Sequence, residues 1–256
     1  MTKINQILQM WPKNSVATTA WLNSQGLSGS EKKQYQDQGW FCSIGVGAVM
    51  RTGDKISIEG GVYALQYLAH KNLHIGGRSA LERKENTQYL RTEKAPVYIF
   101  IEPKIAIDKW FQDYNWGMPL IFIRTKVLPV NLGVEEESVG DFKIRISSIE
   151  RSILEMLCFT PSVFSFKETI EIMEHLSWLR PNRIQDLLEH CNSIIAKRLF
   201  LFLGEHFNHP WFSRLNLERI NLGIGKRSFS KGGIYNSKYK ITLPKDFASH
   251  EQSPLF

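Results

Sequence analysis

A chain of 256 residues, 43% hydrophobic and 22% charged, can bury one large core or two modest ones and is neither disordered nor fibrous. No apolar run approaches the roughly 20 residues needed to span a bilayer, and the opening MTKINQILQMWPK is too short and too polar for a secretory signal. Cys42, Cys158 and Cys191 are scattered without a C-x-x-C pair, which speaks against a disulfide framework or a zinc site and for a reducing, cytoplasmic setting.

The formal charge of +7 is unevenly spread. Residues 1–90 hold 10 lysines and arginines against 6 acids, residues 91–180 hold 11 against 13, and residues 181–256 hold 11 against 6. Basic ends around a slightly acidic middle favour a polyanionic partner, because lysine and arginine release the counterions condensed on nucleic acid.

Taken in chain order, Ile4, Ile7, Leu8 and Trp11 recur at helical spacing and Pro12 stops the run, predicting a helix over about Lys3–Met10. Thr18 can cap a second short helix that buries Trp21 and Leu22 and ends at Gly26. Ser28-x-x-Glu31 is a capping box for a third, ended by Gly39. Helix, tight glycine turn, helix is a helix-turn-helix pattern. Its second helix has almost nothing to bury: from Gly29 to Gln38 only Tyr35 offers much apolar area. A helix lying in a major groove presents its surface to bases and phosphates and needs no such stripe. Ser30, Lys33 and Gln34 share the face opposite Tyr35, and Lys32 lies at its margin. A polar helix can equally be a solvated surface helix. Trp40–Ile44 and Ala48–Arg51 around Gly45-Val46-Gly47 then predict a hairpin, which would serve as the wing of a winged helix. A further helix over Ile58–His70 packs Val62 and Leu65 back on this unit.

Beyond it, Val97–Ile101 and Leu120–Ile123 are continuous apolar runs, as in buried central strands. Phe142, Ile144 and Ile146 alternate with Lys143 and Arg145, a half-exposed strand. Glu135-Glu136-Glu137 reads as a solvated loop between strands. Ser147-x-x-Glu150 is a second capping box ahead of the stripe Ile149, Ile153, Leu154 and Leu157. Pro181 opens a helix carrying Ile184, Leu187, Leu188 and Cys191, and helices continue to about Phe207. Residues 86–96, polar and ending in Pro96, are the predicted junction. The fold class is therefore α+β: a winged helix-turn-helix domain over residues 1–90, then a sheet followed by helices over residues 91–256.

Several signals for chemistry fail. INLGIGKRS lacks both the first glycine and the Ser/Thr of a phosphate-binding loop. His206 and His209 have no third metal ligand nearby, and Cys158 and Cys191 read as small core residues on helix faces. No nucleophile, base and oxyanion donor stand out, so neither an enzyme nor a cofactor is expected.

Four blocks, VATTAWLNSQGLS, GWFCSIGVGAVMRTGD, GGVYALQYL and HIGGRSALE, resemble the N-terminal domain of the AbiEi antitoxins of type IV, abortive-infection toxin–antitoxin systems. ISSIERSILEML, LRPNRIQDLLEHC, KRLFLFLGEHFNHPWF and GKRSFSKGGIYNSKYKITLP resemble the antitoxin domain that follows. The resemblance implies an autorepressor whose winged helix binds inverted repeats of double-stranded DNA in its own promoter. It implies a second domain that counteracts an AbiEii-like nucleotidyltransferase toxin. On the DNA side the expected residues are Thr18, Ser28, Ser30, Lys32, Lys33, Gln34 and Arg51. The wing departs from the family pattern: Val46 stands where a basic residue is common, leaving Arg51 or Lys55 to supply that phosphate contact. In the segment Gly225–Lys240, basic residues interleave with aromatics, which suits a phosphate backbone or an acidic protein face. Lys226, Arg227, Lys231, Lys238, Tyr239 and Lys240 are thus the expected antitoxin surface, with a merely solvated hairpin as the plain alternative. A protein-interaction module that grips its toxin without reading DNA, and an RNA-binding or RNA-modifying activity at the basic C-terminal end, are the competing functions.

Overall fold

The computed structural model describes residues 2–84, 95–229 and 232–245. Helix α1 (Lys3–Met10) buries Ile4 and Ile7, and Trp11 closes it against the core. Strand β1 (Val16–Thr18), which periodicity did not announce, leads straight into α2 (Thr19–Ser24). The Thr18 hydroxyl accepts the Trp21 N–H at 3.1 Å and caps α2. Gly26, at φ +85°, turns the chain into α3 (Gly29–Asp37). The hairpin β2 (Phe41–Gly45) and β3 (Ala48–Arg51) follows as expected, and β1 joins it in the order β1-β3-β2, with Val16 opposite Met50 and Thr18 opposite Ala48. Ile4, Ile7, Trp11, Ala17, Leu22, Leu27, Phe41 and Val49 form the core between the three helices and this sheet.

Helix α4 (Ile58–Tyr63) ends in a wider π turn over Ala64–Leu68, so the helix expected to His70 stops earlier. Gln66 in that turn is buried and bridges two strands: its amide donates to the carbonyls of Leu73 and Arg145, and its oxygen accepts the Arg145 N–H at 2.7 Å. Those strands are β4 (Leu73–Ile75) and β8 (Phe142–Ser147). Between them in the chain lie α5 (Gly77–Lys84), β5 (Val97–Ile101), α6 (Lys109–Asp113), β6 (Leu120–Arg124) and β7 (Val134–Val139). The five strands make a mixed sheet in the order β6-β5-β4-β8-β7. Its central strand β4 precedes residue 90 in the chain, whereas its four neighbours follow residue 96. The expected junction at residues 86–96 falls largely outside the described residues.

Both faces of the sheet are covered. Val97, Ile99 and Ile101 of β5 pack with Ile58, Val62 and Leu65 on one side, while Tyr98 and Phe100 pack with the helical core on the other. That is why β5 is apolar throughout. β6 is an edge strand and only Ile123 is buried, so the expectation of a central strand from its apolar run is corrected. Glu135-Glu136-Glu137 lie inside β7 and not in a loop. Opposite charges reached from other elements hold them there: Lys84 and Arg183 on Glu135, Lys143 on Glu136, and Arg83 on Glu137. Burial raises the Glu135 carboxyl, but Lys84 and Arg183 outweigh it and hold it at about 2.

The helical part comprises α7 (Ile149–Cys158), α8 (Phe166–His175), α9 (Pro181–His190) and α10 (Ile194–His206). Ser148, not Ser147, caps α7, its hydroxyl accepting the Arg151 N–H at 3.2 Å. Ser147 and Glu150, the expected cap pair, are used otherwise: Ser147 donates to Glu155, and Glu150 holds Arg180. A three-stranded sheet, β9 (Arg227–Ser228), β10 (Ile234–Asn236) and β11 (Ile241–Leu243), follows in the order β10-β11-β9. Among the described residues no helix is long and apolar enough to cross a membrane, and no group of three or more His, Cys, Asp or Glu could hold a metal ion.

Sheet and helices meet at a buried polar cluster. Glu155 of α7 accepts from His74 Nε2 at 2.8 Å, Arg151 Nε at 2.7 Å, the Gly77 N–H at 3.0 Å and Ser147 Oγ at 2.9 Å. Arg151 spends a further nitrogen on the carbonyls of Pro129 and Leu132. With both carboxylate oxygens satisfied and a guanidinium beside them, the buried charge is paired.

Candidate nucleic-acid interface

Helix α3 buries none of its residues. Its start is fixed by a full capping box: the Ser28 hydroxyl accepts the Glu31 N–H at 3.2 Å, and Glu31 returns to the Ser28 N–H at 2.7 Å. The Lys3 ammonium reaches Glu31 at 2.9 Å and ties α1 to α3. The Ser28 N–H, Lys3 and the Ser28 hydroxyl together hold the Glu31 carboxyl at about 2, so it stays ionised and compensated. That removes the repulsion a bare carboxylate would offer a phosphate.

The orientation of α3 about its axis is set by one ring. Tyr35 packs edge-on against Phe41 of β2, with centroids 5.9 Å apart. The opposite face, with Ser30, Lys33 and Gln34, is exposed. Ser28 is exposed beside it, its hydroxyl 3.0 Å from that of Ser30. Lys32 sits at the margin, where its ammonium is held by the Asn23 side chain of α2. A shallow cleft of about 170 Å³ runs between α2 and α3, lined among others by Thr19, Gly29, Lys32, Lys33 and Gln36.

Two expected residues are spent inside the fold. Thr18 is buried and its hydroxyl is the α2 cap. Arg51 is half-buried: it donates to the Leu8 carbonyl and lies 5.3 Å over the Trp11 ring, stapling β3 to α1. Burial lowers its pKa against the opposing effects of Asp54 and Asp141, without removing its charge. At the hairpin tip Val46 is 91% exposed between Gly45 and Gly47, both at positive φ. A side chain on Gly45 would come within 3.0 Å of Trp110 on α6, so the hairpin rests on that helix.

The basic C-terminal segment divides in the same way. Lys226 and Arg227 are exposed, with the Lys226 ammonium 4.9 Å from the Tyr235 ring centre. Lys238 pairs with Glu205. Tyr239 is buried and donates to Glu205 at 3.0 Å, and burial with that carboxylate pushes its phenol well up, so it belongs to the core and not to a surface. Lys240 is exposed at φ +52°, and Lys231 lies outside the described residues. The organiser of the segment is Arg198, a buried arginine of α10 that reading by pattern passed over. It donates to the carbonyls of Leu222, Gly223, Gly225 and Lys240. An arginine inside the apolar run of KRLFLFL was the available signal. Beside it, Ile224 (88%), Ile234 (48%) and Tyr235 (40%) are exposed.

Residues 1–92 match the model of the AbiEi antitoxin N-terminal domain, a transcriptional regulator, and residues 94–244 match that of the AbiEi antitoxin transcriptional regulator of type IV toxin–antitoxin systems. The chain belongs to the AbiEi antitoxin family. The fold of this AbiEi antitoxin is similar to a crystal structure of the RV2827C protein from Mycobacterium tuberculosis, at 13% identity and a TM-score of 0.56, covering 89% of this chain and 85% of that one. No curated protein matches the chain. As a member, it is a transcriptional regulator and antitoxin, which implies DNA and a toxin as partners in general terms. The family is one of regulatory antitoxins.

Proposed function

We propose that α1–α3 and the sheet β1-β3-β2 form a winged helix that inserts α3 into the major groove of inverted repeats in the operon's own promoter. The same chain's part beyond about residue 90 counters a nucleotidyltransferase-like toxin without a catalytic step of its own. The observation that carries the DNA reading is α3 itself: a well-capped helix, held by neighbours on one side, with no residue buried and Ser30, Lys33 and Gln34 facing outward. Such a helix gains nothing from a core and is presented for contact. Of the basic candidates, Lys33 is the freest to reach phosphate or base, and Lys32 must first leave Asn23.

Gel shifts on the promoter fragment, repeated across a salt series, test this. Lys33→Ala should lower the slope of log affinity against log salt by about 0.9 for one lost phosphate contact. Lys33→Ala with Gln34→Ala should weaken specific binding far more than binding to unrelated DNA. Specific binding that survives the double substitution unchanged would falsify the helix assignment.

A second reading, direct capture of the toxin, is favoured by the exposed Ile224, Ile234 and Tyr235 beside Lys226. An apolar patch rimmed by cations fits an acidic protein face. Calorimetry with the adjacent gene's product separates the routes: heat of binding that vanishes in Ile224→Asp supports capture, and rescue without binding refutes it.

A further inference from the structure

The sulfurs of Cys158 and Cys191 lie 4.0 Å apart, although 33 residues separate them in the chain. Cys158 ends α7 and is partly exposed; Cys191 is the C-cap of α9 and is buried. The Cys191 sulfur is within hydrogen-bonding reach of the Cys158 thiol, accepts the Ser193 N–H at 3.4 Å and can itself donate to the Ser193 carbonyl, and the charge of Lys197, in the first turns of α10, favours its thiolate. Lys197 is itself a buried lysine, and among the described residues the one group that favours its charged form is the Cys191 sulfur. A thiolate at Cys191 would supply Lys197 with a counter-charge. The hydrogen bond from Cys158 lowers the Cys191 thiol first, against burial, and Ser193 and Lys197 lower it further; burial raises Cys158. One sulfur is thus favoured as nucleophile and the other stands by as resolving thiol.

We propose that Cys158 and Cys191 form a redox modification site that takes a hydroperoxide as its oxidant and closes to an intramolecular disulfide between the C-terminal ends of α7 and α9. The Cys191 thiolate attacks the near oxygen of the hydroperoxide: an S–O bond forms, the O–O bond breaks, and the alkoxide or hydroxide leaving group takes the proton that Cys191 had lost. The Cys158 sulfur then attacks the Cys191 sulfur. The S–S bond forms, the S–O bond breaks, and hydroxide leaves as water with the Cys158 proton. Two thiols are oxidised and one peroxide is reduced. The two sulfurs must close from 4.0 Å to a covalent distance of about 2.05 Å.

Reduced full-length protein, treated with graded hydrogen peroxide and digested without reductant, tests this by mass spectrometry. Free thiols should fall from three to one, with Cys42 remaining and the Cys158 and Cys191 peptides joined. In Cys158→Ser the reaction should stop at a sulfenic acid on Cys191, trapped by a dimedone probe. Lys197→Met should slow disulfide formation in the otherwise unaltered chain. Loss of the Cys42 thiol first, links only between chains, or Cys158 and Cys191 both still reacting as free thiols after Cys42 is oxidised would each overturn the site.

Discussion

Glu155→Gln is the most informative single change for the fold. Glu155 joins β4, β8 and α7 through four donors, and the neighbouring Arg151 guanidinium is nearly inaccessible to water. Glutamine keeps the shape but removes the charge and replaces one acceptor by a donor. That donor then faces either Arg151 and His74 or Gly77 N–H and Ser147. Removing one partner of a buried ion pair costs about 3–5 kcal/mol, because the remaining charge is left uncompensated. Carbonyls of Pro129 and Leu132 still hold Arg151, which places this case towards the lower end, at about 3 kcal/mol. For a chain of this size, about 2–4 °C per kcal/mol converts that to a fall in Tm of roughly 6–12 °C. Urea unfolding followed by far-ultraviolet dichroism, with Glu150→Gln as the comparison, measures it. Glu150 pairs with Arg180, whose side chain is 52% exposed, so its loss should cost less. If Glu155→Gln unfolds within about 1 kcal/mol of the parent, well short of the roughly 3 kcal/mol expected for a broken buried pair, the cluster is not what holds sheet and helices together.

Acid should act through the same cluster. Burial lowers the His74 pKa in the fold despite Glu155, while in the unfolded chain a histidine takes a proton below about 6.5, so stability should begin to fall below that pH. Burial raises Glu155 but His74 and Arg151 hold it at about 2, so its contribution is intact above the unfolded value and is lost from there down to about pH 2; an unfolding series from pH 7 to 3 that shows no decline refutes both assignments. Arg51→Ala should cost about 1–3 kcal/mol by orphaning the Leu8 carbonyl, with little change in the salt slope of DNA binding, whereas a slope change near that of Lys33→Ala would restore Arg51 to the interface. Ser28→Ala should remove about 1 kcal/mol of capping, read as a lower urea midpoint with an unchanged slope. Gly204→Ala sets a Cβ into the Trp211 ring and should cost about 1–3 kcal/mol by overpacking, and a neutral Tm would show that the ring is free to move.

What could be read from the chain alone was what neighbours in sequence decide. The caps at Thr18 and Ser28, the positive-φ stop at Gly26 and the β2–β3 hairpin depend on contacts a few residues apart, and the structure has them where the residue pattern puts them. The bareness of α3 was legible too, since a helix without an apolar stripe cannot be a buried one. The misses share the opposite cause. The three residues of β1 become a strand only because β3, some thirty residues on, offers its edge, and the triple glutamate becomes a strand because cations from α5, β8 and α9 converge on it. The apolar run of β6 could not disclose that it lies at the sheet edge, since strand order is a property of the whole sheet. Tyr239 reads as one more aromatic in a basic segment until Glu205 and the core close over it. Sequence by itself thus determined the local elements, the family and a third helix with nothing to bury; tertiary structure decided which charges are spent within the fold and which stay exposed. Long-range pairing makes that division, because a side chain's freedom depends on what the rest of the chain brings to within hydrogen-bond distance.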